Sequence, residues 1–88
     1  MGYRTEFPHY DPQTLPKIPM GWKDVSWHND CCPSWQVGDY VVFIDFADPD
    51  DRELFGMRFA VNTAETCENV LETDNWQEVV DCINKLTA

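Results

Sequence analysis

The sequence predicts an α+β domain in which a three- to four-stranded antiparallel meander carries one C-terminal helix on a face and an extended proline-rich arm in front. Three observations predict it. Tyr40-Val41-Val42-Phe43-Ile44-Asp45-Phe46, rich in β-branched and aromatic residues and preceded by Gly38-Asp39, is the clearest strand signal in the chain. Trp76, Val79, Val80, Ile83 and Leu86 recur at offsets that share one face of a helix. Pro8, Pro12, Pro16 and Pro19 exclude a helix over 7–20 and favour extended chain.

The elements follow in order. Phe7, Tyr10, Leu15, Ile18 and Met20 give the arm apolar residues that a free linker would not need, so it is expected to lie across the domain. Trp22 to Trp27 reads as a short strand, and His28 to Ser34, dense in turn formers, reads as a loop. After the Tyr40–Phe46 strand, Ala47 to Glu53 is an acidic turn centred on Pro49. Phe55 to Thr63 then returns as a strand with Met57, Phe59 and Val61 on one face. Asn69 to Glu72 gives a shorter strand. Asp74 stands three residues before Gln77, the spacing of a capping box, and starts the helix, whose residues Gln77, Glu78, Asp81 and Lys85 face outward. The 88 residues therefore make one domain, with an arm over 1–20, a sheet over 21–73 and a helix over 74–87.

Sixteen acidic residues against six basic ones give a net charge of −10 and make direct binding to nucleic acid or an anionic membrane unfavourable. The complement is a protein or nucleoprotein with a basic surface. Residues 39–88 hold twelve of the acids and only Arg52, Arg58 and Lys85 as bases, so the field comes from the second half. With 43% hydrophobic residues the chain has the apolar surface to fold despite that charge. No apolar run is long enough for a secretion signal or a bilayer span, and a cytoplasmic location with reduced cysteines is expected. The Met-Gly start lacks the Ser or Thr of a myristoylation signal, because Glu6 stands there.

Several residues could carry chemistry. His28, Cys31 and Cys32 supply three local zinc ligands, but a structural site needs four, and no Cys-x-x-Cys knuckle anchors one; a turn with small buried thiols accounts for them. A Cys-His nucleophile pair in the same segment would have to form a thiolate beside Asp30, without a Gly-rich oxyanion turn. No catalytic residue, metal or cofactor is expected. Asp45, Asp48, Asp50, Asp51 and Glu53 do not follow calcium-loop spacing. They fit either a solvated hairpin tip or, with Glu65, Glu68 and Glu72, a set of partner-binding carboxylates spaced like a phosphate backbone. Trp22, Trp27 and Trp35 are candidate aromatic anchors for a partner, or alternatively clamps that hold the arm to the sheet.

The segment Val25-Ser26-Trp27-His28-Asn29-Asp30, followed by Cys32-Pro33-Ser34, resembles one found in small uncharacterised acidic proteins of bacteria and their phages. That resemblance carries no activity and no functional residue. Size, expected location and charge fit a phage or mobile-element inhibitor that mimics nucleic acid on a basic surface of a host nucleoprotein complex, as some anti-CRISPR proteins do. The alternative is a small structural or assembly module that binds a protein partner through its aromatic arm and tryptophans.

Overall fold

A computed structural model describes residues 2–52 and 57–87 of the chain. Five strands form one antiparallel sheet in sequence order: β1 Lys23–Asp24, β2 Ser34–Val37, β3 Tyr40–Ile44, β4 Phe59–Thr63 and β5 Asn69–Thr73. Two short helical elements, α1 Tyr3–Glu6 and a 3₁₀ turn Pro12–Thr14, interrupt the arm, and α2 Trp76–Leu86 ends the fold. The meander, the C-terminal helix and the α+β class are as the sequence predicts, with one or two strands more. The added strand is β2, four residues hidden behind the turn-forming Cys31-Cys32-Pro33. Gly38-Asp39 is its two-residue loop to β3, and the positive φ of 58° at Gly38 alone is the pattern of a type II′ hairpin, which glycine adopts without strain.

Strand register explains the core. Trp35, Val42, Val61 and Leu71 lie opposite one another across β2 to β5, so their side chains share a face. Val37, Tyr40 and Thr63 form the next row on that face, and Ile44, Phe59 and Thr73 the row on the other side. Two covers share the work of burying it. α2 lays Val79 and Ile83 over β4 and β5, while the arm packs Phe7, Tyr10, Leu15 and Ile18 against the remainder. Trp76 packs at a tilt of 59° against Phe59, 5.2 Å between centroids, and against Trp22 at 5.7 Å, closing the seam between the covers.

Four local expectations are corrected. Met20 is fully exposed rather than packed, because Gly21 turns the chain at that point with φ 94°. Met57 precedes β4 and is half-exposed, so only Phe59 and Val61 of the expected trio reach the core. The arm is not wholly extended, since α1 and the 3₁₀ turn form within it. The helix is capped by Asn75, whose side chain accepts from the Gln77 N–H at 3.0 Å, and not by Asp74. Asp74 is drawn away by the Arg58 N–H at 2.8 Å and the Arg52 guanidinium at 3.7 Å.

Burial sets the expected cost of truncation. Ile83→Ala should lower stability by about 2–5 kcal/mol in urea unfolding, whereas Met20→Ala should stay within about 0.5 kcal/mol of the parent.

Candidate functional site

The end of β3 is tied to the arm by a half-buried polar cluster. The Tyr10 hydroxyl donates to the Asp45 carbonyl at 3.0 Å, and Arg58 Nε donates to the same carbonyl at 3.0 Å. The Arg58 guanidinium also donates to the Tyr10 hydroxyl at 3.0 Å and to the Thr14 carbonyl at 2.9 Å. Asp45 itself is 0% exposed, with one carboxylate oxygen accepting from the Phe46 N–H at 2.8 Å. It therefore cannot meet a partner in this fold and leaves the expected acidic surface. The reason is positional, because Asp45 still pairs backbone to backbone with Arg58, its N–H donating to the Arg58 carbonyl at 2.8 Å.

The other acids divide. Asp48, Asp50 and Asp51 are exposed on a 3₁₀ turn, Pro49–Asp51, that follows β3. Asp48 caps that turn by accepting from the Asp50 N–H at 3.0 Å. Glu65 and Glu68 are exposed in the β4–β5 connection, beside Asp39, whose carbonyl accepts from Ala64 N–H at 2.8 Å. Because Tyr40 pairs with Thr63 and Ile44 with Phe59, these two groups sit at opposite ends of the sheet. They stand at least about 14 Å apart along the strands at about 3.4 Å per residue. Glu72, opposite Ala60, belongs to neither end and is exposed on the uncovered face of the sheet. Glu53 lies outside the described residues.

The three tryptophans also separate. Trp35 is 4% exposed, packed against Tyr3 at 5.7 Å, and is core rather than an anchor. Trp22 is half-buried, with its ring 5.7 Å from that of Trp76 in α2. Trp27 alone of the three is open, at 51%, with its ring 4.3 Å from that of His28.

His28 faces the arm. Its Nδ1 lies 3.0 Å from Glu6 Oε1, and its N–H donates to the same oxygen at 3.2 Å, so the loop that follows β1 is pinned to α1. Cys32 is buried, Cys31 half-buried, and none of the four cysteines is in a disulfide. Among the described residues no cluster of three or more His, Cys, Asp or Glu side chains is placed to hold a metal ion. Sequence reasoning passed over a concavity of about 350 Å³ on the uncovered sheet face, floored by Phe43 and Ala60 and edged by Asp30, Cys31, Asn62 and Glu72. The signal was present in the alternation of Val41 and Phe43 against Val42 and Ile44, which gives β3 apolar residues on both faces. No described helix is long and apolar enough to cross a membrane. Comparison with family models, curated proteins and solved structures gave no match.

Two titrations follow. Burial pushes the Tyr10 hydroxyl above the ordinary tyrosine range, against the opposing pull of Arg58. The neutral phenol is thus favoured in the fold, and its stabilisation is complete below about pH 10 and lost as pH rises through the raised value. Absorbance titration should show a late phenol that disappears in Tyr10→Phe, a variant that should also be less stable by about 1–2 kcal/mol at neutral pH. Its hydrogen bond with His28 holds the Glu6 carboxyl below the usual carboxylate range. That contribution is present above about pH 4.3 and fades as pH falls through the lowered value, so Glu6→Gln should flatten this part of the acid unfolding profile.

Proposed function

We propose that this protein binds without catalysis to a basic surface of a protein or nucleoprotein partner, as a phage or mobile-element inhibitor occupying a host nucleic-acid-binding surface would. One observation carries the proposal. The two arginines nearest the acidic turn spend their donors on the protein's own backbone: Arg58 on the Asp45 and Thr14 carbonyls, Arg52 on the Phe46 and Ala47 carbonyls at 2.7 and 3.1 Å. Asp48, Asp50 and Asp51 are left facing solvent beside cations already engaged elsewhere. Carboxylates held this way attract a cationic surface over a Debye length of about 8 Å at physiological salt.

The separation of the acidic groups shapes the reading. A partner meeting only the Asp48–Asp51 end needs a compact basic patch, whereas one meeting both ends must present cations more than a strand length apart. Mimicry of a nucleic-acid strand requires the second geometry.

The exposed Trp27 favours a second reading, in which an aromatic anchor fills a pocket on a protein partner and the charge serves solubility. Trp27→Ala would then remove binding while charge reversals would do little.

The test begins with affinity purification from the native host, followed by association kinetics with the captured partner. The on-rate should fall steeply between about 50 and 500 mM salt, and Asp48→Lys/Asp50→Lys/Asp51→Lys should weaken binding more than tenfold. Binding indifferent to both salt and charge reversal sinks the proposal.

A further inference from the structure

β5 is an edge strand, and no described strand pairs with its outer side. Edge strands present a row of backbone donors and acceptors that can take another chain, and most proteins keep such edges short or covered. The opposite edge follows that rule: β1 has two residues, and α1 lies beside it, with the Tyr3 N–H donating to Asp24 at 2.8 Å. β5 has five residues. Its Val70 is 41% exposed at a bulge, where the pairing with β4 steps from Val61–Leu71 to Asn62–Asn69, and Leu71 turns its own backbone groups inward to β4.

A groove of about 720 Å³ runs beside this strand, between it and α2. The chain reverses at Asp74-Asn75, so α2 runs back past β5, and from β5 it is Leu71 that lines the groove. Leu71 and Cys82 form its apolar floor. Glu78 and Asp81 line the helix side, one turn apart, with Lys85 a further turn along towards the start of β5. An added strand would send alternate side chains into this groove and the others alongside Val70 and Glu72 on the uncovered face.

We infer that the β5 edge takes an extended segment of a protein partner as a sixth strand, with apolar side chains entering the Leu71–Cys82 groove and alternating Lys or Arg side chains beside Glu72. This rests on the reading that the partner is basic, and narrows it to a strand-adding peptide segment. Main-chain hydrogen bonds supply affinity in such additions, and pockets for alternate side chains supply selectivity. Charge argues against a second copy of the chain as the occupant, because two copies each carrying −10 would meet along edges bearing Glu72 and Glu78.

Two capped heptapeptides of equal charge test it against the ¹⁵N-labelled protein, one alternating Lys with Val and the other alternating Lys with Pro. The Lys-Val peptide should shift the amides of Asn69–Thr73 and Glu78–Lys85 saturably, and the Lys-Pro peptide, which lacks donors and strand propensity, should bind at least tenfold more weakly. Equal binding of the two peptides, or shifts confined to Asp48–Asp51, overturns strand addition while leaving the acidic-binder reading standing. Absence of any shift at millimolar Lys-Val peptide overturns strand addition, as do β5 shifts that follow protein concentration without peptide, which would mark a second copy as the occupant. Salt-indifferent binding of the Lys-Val peptide at β5 would leave strand addition intact and count against the charge-driven reading alone.

Discussion

Arg58 bonds at one point to two stretches of chain remote from it in sequence, the arm and the end of β3, and the placement of the arm, of β3 and of the acidic turn depends on it. Its guanidinium reaches the Thr14 carbonyl, the Tyr10 hydroxyl and the Asp45 carbonyl, while Tyr10 closes the triangle by donating to the same Asp45 carbonyl. Charge-assisted hydrogen bonds of this kind are stronger than neutral ones, and a buried carbonyl left without its donors would cost about 1–3 kcal/mol. The cluster therefore does what the apolar arm contacts cannot do alone. Hydrophobic burial is nondirectional and would let Phe7, Leu15 and Ile18 slide over the sheet, whereas three bonds to fixed atoms allow one placement.

The same choice explains the uneven electrostatics. A chain with so few bases could have used them to neutralise neighbouring carboxylates. Among the described contacts, Arg52 and Arg58 instead bond the carbonyls of Phe46, Ala47, Asp45 and Thr14, with Arg52 also 3.7 Å from the largely exposed Asp74, where screening keeps the pair weak. Repulsion among acids is limited by distance: the Asp48–Asp51 group and the Glu65–Glu68 group occupy opposite ends of the sheet, beyond a Debye length of about 8 Å. The fold thus tolerates its charge by spreading it.

Features that depend on local spacing were legible in the sequence. The Trp76, Val79 and Ile83 face, the Tyr40–Ile44 strand and the packing of Phe7, Tyr10, Leu15 and Ile18 each follow from periodicity or composition within a short window, whereas Leu86, expected on the same helix face, is 39% exposed. What escaped depends on contacts between distant residues. Nothing in Ile44-Asp45-Phe46-Ala47-Asp48 marks the first aspartate as buried and the second as exposed; the difference is made by Tyr10 and Arg58, which lie 35 and 13 residues away. Trp35 reads like Trp27 until Tyr3 is folded over it. The acidic residues looked like one surface because their separation is visible only once β3 and β4 are in register. The helix cap moved by a single residue, from Asp74 to Asn75, because Arg58 and Arg52 compete for the aspartate.

Rigidity of the acidic turn links this architecture to the proposed binding. Phe46 and Ala47 are held through their carbonyls by Arg52, Asp48 caps the turn, and the Asp51 and Arg52 N–H groups donate back to the Asp48 and Pro49 carbonyls at 3.0 and 3.3 Å. The carboxylates of Asp48, Asp50 and Asp51 are therefore carried on a backbone whose shape is set before any partner arrives. Ordering a loose loop on binding costs roughly 1–2 kcal/mol of backbone entropy per residue, which a weak exposed ion pair worth less than about 1 kcal/mol would not offset. A preformed turn removes that cost, and this makes surface carboxylates with modest individual energies usable together against a basic surface. The arginines that bond these carbonyls are in this sense part of the acidic surface, because they hold the backbone from which it projects.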